Sequence, residues 1–187
     1  MVEPSAVISS ARDRILEAAE RVVGETGAAK LTLDAVAQAA GVSKGGLLYH
    51  YPTKEALLGA LAERYVRSME QCIEAAKGGL SEGDHSRDLK ACIVGALESG
   101  SRSRAMGAAL LAAAANDPTL LDVIRERAVL FTEHLAASSS DFARAAIVML
   151  AVDGLMMRES LRISPFTDEQ REQIVHELLN IADESYR

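Results

Sequence analysis

The residues whose types and spacing suggest chemistry lie between positions 43 and 54. Ser43 and Lys44 stand at the expected start of a short helix, where free backbone N–H groups and the positive end of the dipole attract phosphate. Gly45 and Gly46 follow, and each costs ~1 kcal/mol relative to alanine inside a helix. Close approach of the backbone to a groove is a reason for accepting that cost. Tyr49 and His50 can both donate to a phosphate or a base edge, and Lys54 adds a charge at the next helix start. The pattern is that of a surface for a polyanion; a half-buried Tyr49 ring and a solvated His50 are the alternatives.

Holding such a surface requires a second helix at a steep angle. Residues 32–51, TLDAVAQAAGVSKGGLLYHY, meet the geometric needs of a helix-turn-helix. Thr32 is a good N-cap, and Leu33, Val36, Ala37 and Ala40 fall at i, i+3, i+4 and i+7. Ala37 is small enough for the contact between helices, and Gly41 tolerates the positive φ of a sharp turn. Val36, Ala40, Val42 and Leu47 would form the small core beneath the second helix. The same spacing also suits an αα-hairpin with a glycine turn and no ligand.

Charge is distributed in a way that favours this segment. The 187-residue chain has a formal net charge of -7, with 49% apolar and 25% charged residues, values of an ordinary globular protein. Residues 1–54 hold six bases and six acids, so the whole excess of acid lies beyond them. A polyanion could approach only the N-terminal part. Cys72 and Cys92 make no disulfide framework and read as small buried hydrophobes. Neither a transmembrane run nor a secretory signal is legible, which places the protein in the cytoplasm and away from membranes.

The apolar spacing is helical throughout, giving an all-α fold of about nine helices. Helices are expected at about 9–26, 33–40, 43–49, 54–77, 88–99, 102–116, 118–136, 141–162 and 168–186. Pro118 suits the first turn of its helix, and Thr167 with Gln170 forms a capping box. The glycine-containing stretch 77–88 reads as a loop and as a soft internal boundary.

The run from Ala40 to Leu58, AGVSKGGLLYHYPTKEALL, resembles the signature of TetR-family transcriptional repressors, and the likeness covers about residues 9–60. It implies a helix-turn-helix DNA-binding domain over residues 1–53 and an effector-binding and dimerisation domain over residues 54–187, with 54–77 as connecting helix. It also implies a phosphate-facing cap at Thr32, contacts to double-stranded operator DNA from Ser43, Lys44, Gly46, Tyr49 and His50, a phosphate contact from Lys54, and core positions for Leu47 and Tyr51. Two positions depart from the pattern. Leu48 replaces a phosphate-binding tyrosine, and Tyr51 replaces phenylalanine.

The family is homodimeric and ligand-responsive, and the C-terminal half is compatible with both properties. From Ala145 to Met157 the chain is apolar nearly all round, interrupted by Asp153 and Gly154, so one side suits the chain's own core and another wants a partner. Ile174, Val175, Leu178, Leu179, Ile181 and Ala182 form a second stripe. The resemblance implies a dimer through residues 141–186, against the alternative of a monomeric bundle core. Met69, Met106, Phe131, His134, Met149, Asp153 and Met156 are candidates to line a pocket for a small, largely apolar effector, although core packing is the simpler reading of each. A closed apolar cavity within residues 88–160 would favour an effector; its absence would favour an architectural DNA-binding dimer. Catalysis has little support, since the four histidines are scattered and no HExxH or CxxC motif occurs. No cofactor or metal is expected.

Overall fold

The computed structural model describes residues 10–27, 30–98 and 100–184, and among them every regular element is helical. The helices are α1 (Ala11–Thr26), α2 (Leu33–Ala40), α3 (Lys44–His50), α4 (Lys54–Gly78), α5 (Arg87–Leu97), α6 (Ser101–Ala114), α7 (Asp122–Ser138), α8 (Phe142–Ser160) and α9 (Asp168–Glu184). The expected ends at 9, 99 and 186 fall outside the described residues.

Most boundaries follow from local chemistry. Thr32, Ser43 and Thr53 cap α2, α3 and α4, each hydroxyl accepting from the backbone N–H three residues on, at 3.2, 3.0 and 3.1 Å. Gly41 takes the left-handed conformation at the end of α2, with φ 65° and ψ 35°. The Thr167 and Gln170 side chains reciprocally accept from each other's backbone N–H groups at 3.2 and 3.0 Å, completing the capping box. One expected helix start differs: Pro118 opens a 3-10 turn, Pro118–Leu121, capped by Asp117, and α7 begins only at Asp122.

Two hydrophobic cores organise the chain. The first joins Ile15, Ala19, Val36, Leu47, Leu57 and Leu61 to Met106, Leu110 and Leu120, so α6 and the 3-10 turn contribute to the packing beneath the N-terminal helices. The second gathers Leu89, Ile93, Val148, Val152, Leu155, Leu178 and Ala182. Helix α4 reaches both, with Leu57 and Leu61 in the first and Met69 against the second. Near its C-terminal end α4 meets α5 so closely that a Cβ on Gly95 would lie 2.7 Å from the backbone of Ile73.

The stretch 77–88 is not a soft boundary. Helix α4 continues to Gly78, and the remaining turn is tied down by partners remote in sequence. Lys90 bridges Asp84 at 2.8 Å and Asp183 of α9 at 2.5 Å, around a fully buried Ser86 whose hydroxyl lies within 2.9 Å of both carboxylates. Arg87 donates to the Lys77 carbonyl, and Lys77 pairs with Asp88 at 2.6 Å.

Candidate nucleic-acid interface

Helix α3 is held by one fully buried side chain, Leu47, while the rest of its length faces outward. Ser43, Lys44, Gly45, Gly46, Leu48, Tyr49 and His50 are all exposed, and Tyr49 presents 84% of its surface. The Tyr49 and His50 rings meet edge to face with centroids 5.1 Å apart, which joins the two donors into one projecting unit. The Tyr49 ring is not half-buried, whereas the exposed His50 also fits its alternative as a solvated side chain.

The two glycines are instructive. A Cβ on Gly45 would meet nothing within 4 Å, and one on Gly46 would meet only the Ser43 hydroxyl at 3.2 Å. Packing within the chain therefore does not demand glycine at 45, and close approach from outside remains a physical reason for it. Lys44 forms an ion pair with Asp34 of α2 at 2.9 Å. Both side chains are exposed, so the pair is worth at most ~1 kcal/mol and is easily exchanged for a phosphate. Lys54 lies half-buried at the start of α4, and Thr32 is exposed at the start of α2. Thr32, Ser43 and Thr53 spend their hydroxyls on capping, leaving other N-terminal amides of each helix free for an anion.

Tyr51 is buried, in agreement with the expected core position, and its extra hydroxyl is used. Arg12 of α1 donates its Nε–H to the Tyr51 oxygen at 3.1 Å, with the guanidinium 6.0 Å from the ring centre. This tie between α1 and the end of α3 was not legible in the sequence, because the partners lie 39 positions apart. Leu48, the remaining departure, is exposed on α3.

With this geometry in view, the comparisons with known proteins are decisive. Residues 87–183 match the model described as Tetracyclin repressor-like, C-terminal domain, and residues 15–61 match that of the bacterial regulatory proteins, tetR family. The chain belongs to the TetR family. The solved structure of a TetR-family member from Streptomyces coelicolor A3 is 28% identical, with a TM-score of 0.72 over 92% of this chain and 98% of that one. A transcriptional regulator from Rhodococcus sp. Rha1 shares the fold at 24% identity and a TM-score of 0.75, over 94% and 96% of the two chains. The multidrug binding protein EbrR, solved in complex with proflavin, is 28% identical, with a TM-score of 0.62 over 92% and 99%. This TetR-family chain is thus a transcriptional regulator with a helix-turn-helix DNA-binding domain and a helical C-terminal domain.

The seven candidate pocket residues do not converge on one place. Asp153 and Met156 of α8 line a pocket of about 190 Å³ with Tyr65 of α4, Gly107, Leu110 and Leu111 of α6, and Leu121 and Ile124. Met69, Phe131 and Met149 pack on the second core, as Met156 also does. Met106 is buried in the first core and borders a separate cleft of about 600 Å³ beside Arg12, Glu20, Arg64 and Arg67. His134 is exposed on α7 and bonds Asp88 at 2.8 Å, so it belongs to the surface. The closed cavity within 88–160 that would favour an effector is not seen among the described residues; Asp153 and Met156 instead line an open pocket that has Tyr65 of α4 as one wall. Tyr65 and Gly107 had no signal in the sequence. Cys92 is buried, and that burial pushes its thiol up to about 12, as suits a packing residue. Among the described residues no His, Cys, Asp and Glu cluster could hold a metal ion.

Helices α8 and α9 divide their apolar residues differently from the expectation. Leu178 and Ala182 of α9 are buried in the chain's own core. Large apolar side chains left exposed on α8 and just after it include Ile147, Leu150 (70% exposed), Met157, Leu161 and Ile163, and Val129 and Leu130 of α7 are exposed as well. Leucine at 178 therefore does intrachain work, while the strip on α8 is unpartnered.

Proposed function

We propose that this TetR-family regulator is a repressor that grips a near-palindromic operator as a homodimer and lets go when a small molecule binds. Residues 1–53 form the reading head, with contacts from Thr32, Ser43, Lys44, Gly45, Gly46, Tyr49, His50 and Lys54. Residues 54–187 form the effector-binding and dimerisation part, and α4 links the two. The observation that carries this reading is α3, whose one buried anchor leaves a lysine, two glycines, a projecting tyrosine and a histidine exposed. Work on DNA places the protein in the cytoplasm.

The dimer rests on the exposed strip of α8, since apolar patches of that kind mark interaction surfaces. Ligand release rests on α6. Leu110 lines the pocket beside Asp153 and is itself buried in the core shared with α1 and α4. A ligand that shifts α6 therefore acts on the packing beneath the reading head, and a change in its tilt breaks simultaneous engagement of two half-sites. By reciprocity, operator DNA weakens ligand binding by the same factor, typically ~5–150-fold. The EbrR–proflavin complex, a related fold holding a small molecule, supports the ligand-responsive reading over a purely architectural one.

Fluorescence anisotropy on labelled duplex across a salt series tests the DNA contacts. Lys44→Ala and Lys54→Ala each reduce the slope of log K against log salt by roughly 1 unit if each neutralises one phosphate. Unchanged slopes in both variants remove the proposed phosphate contacts.

A further inference from the structure

Little inside α3 itself fixes the angle at which it presents its side chains. The helix has 7 residues, Lys44–His50, too few to be stable alone, and two of them are glycine. Leu47 is its one buried side chain, and a single anchor leaves a short helix able to tilt and to turn about its own axis. At the N-terminal end the tie is the Lys44–Asp34 pair, both of whose side chains are exposed. That tie is weak, and it weakens further when Lys44 turns to a phosphate.

The C-terminal end is held differently. Tyr51 follows α3 directly, and its backbone N–H closes the last turn onto the Leu47 carbonyl at 2.8 Å. Its ring is buried, and its hydroxyl accepts from the Arg12 Nε–H of α1 at 3.1 Å, a bond assisted by the guanidinium charge. Arg12 has no ion pair among the described residues, and the adjacent Asp13 is engaged by the Ser10 hydroxyl at 2.6 Å. Tyr51 stands where the family pattern has phenylalanine, so the hydroxyl is an addition to a ring that packing would bury without it. Tyr49 and His50, their rings edge to face, immediately precede Tyr51, and any swing of Tyr51 displaces both.

Resting on the reading of α3 as the operator-reading helix, we propose that Arg12 and Tyr51 are positioning residues: their hydrogen bond fixes the C-terminal end of α3 against α1 and so sets where Tyr49 and His50 meet the groove. Neither residue touches DNA in this role. The tie matters on the correct sequence, where donors must meet base edges within hydrogen-bond distance. Nonspecific binding rests on phosphate charge and is indifferent to it. A direct phosphate contact from Arg12 is the competing role, and it predicts weaker binding to every duplex.

The test uses full-length wild type, Tyr51→Phe, Arg12→Met and the double variant. Each is titrated by fluorescence anisotropy, across a salt series, against the duplex recovered by operator selection and a scrambled duplex of equal length and composition. Each single variant should lower the ratio of operator to scrambled affinity by roughly three- to tenfold, the worth of one hydrogen bond. The double variant should fall no further than the larger single loss, and the salt slopes should stay at the wild-type value. An unchanged ratio in Tyr51→Phe overturns the proposal; that variant keeps the ring and loses only the hydroxyl, so it decides the matter even if Arg12→Met does not fold. Losses that add in the double variant overturn it as well. So does an equal loss on both duplexes in Arg12→Met with a slope shallower by roughly 1 unit, which makes Arg12 a phosphate contact. A wild-type protein that enriches no sequence refutes the operator reading and this inference with it, whereas a discriminating wild type with unaffected variants refutes the inference alone.

Discussion

Gly95→Ala tests the packing that fixes α4, the helix linking the reading head to the second core. A Cβ at position 95 would lie 2.7 Å from the Ile73 Cα and N and 2.8 Å from the Cys72 carbonyl carbon. Ordinary contacts between such atoms are ~3.5–4 Å, so α4 and α5 must part by about 1 Å there. The obstructing atoms are backbone and cannot rotate away, which places the overpacking cost near the upper end of the usual ~1–3 kcal/mol. Alanine recovers ~1 kcal/mol in helix propensity, leaving a net loss of about 2 kcal/mol. At this chain length each kcal/mol moves the melting temperature by ~2–4 °C, so thermal unfolding at fixed protein concentration should show a fall of about 4–8 °C. Gly59→Ala on α4 is the control. Its Cβ meets nothing within 4 Å, and the same propensity term should raise the melting temperature by about 2–4 °C. A Gly95→Ala protein that melts with or above wild type would show that the close approach of α4 and α5 does not exist.

Two further outcomes follow from the geometry. Leu150→Glu places a charge at a site that is 70% exposed in the single chain, so helicity should be retained while an apolar dimer face would lose several kcal/mol. Sedimentation should then show folded monomers with weakened operator binding, and a variant that stays dimeric would remove α8 from the interface. Acid stability follows from Asp84, which the Lys90 ammonium and the Ser86 hydroxyl hold down at about 2 against an ordinary value of 3.8. A depressed carboxylate contributes stability above its unfolded value and loses it as pH falls through the folded one. Urea unfolding should therefore show a pH-dependent loss between about 4 and 2 that shrinks in Lys90→Ala; identical profiles for the two proteins would contradict the bridge.

What the sequence reveals and what it hides divide along the range of the interactions. Thr32, Gly41, Ser43, Thr53 and the Thr167–Gln170 pair act within three residues, and each holds the role its type predicts. Leu47 is legible as the anchor of α3 from the spacing of the turn segment, and Tyr51 as a core position through the family resemblance. The 77–88 turn looked soft because glycine and polar residues are all its own stretch offers, while the groups that lock it include Asp183, 97 positions from Ser86. Likewise Leu178 and Leu150 are both apolar helical positions, and only the placement of α5 against α8 and α9 decides which is core. Pocket residues were the least legible. Asp153 was visible as a charge within an apolar helix, but Tyr65 becomes its neighbour only through the packing of α4, α6 and α8.

Operator selection from genomic fragments tests the central claim most directly, using full-length protein at physiological salt and scoring enriched sequences for symmetry. A two-fold protein carrying one α3 per subunit should enrich near-palindromes whose half-sites repeat at ~34 Å or a small multiple, the spacing of successive major grooves. Tyr49→Phe should weaken that enrichment without shifting the spacing. Recovery of only asymmetric sites, or of no enriched sequence, would contradict the account.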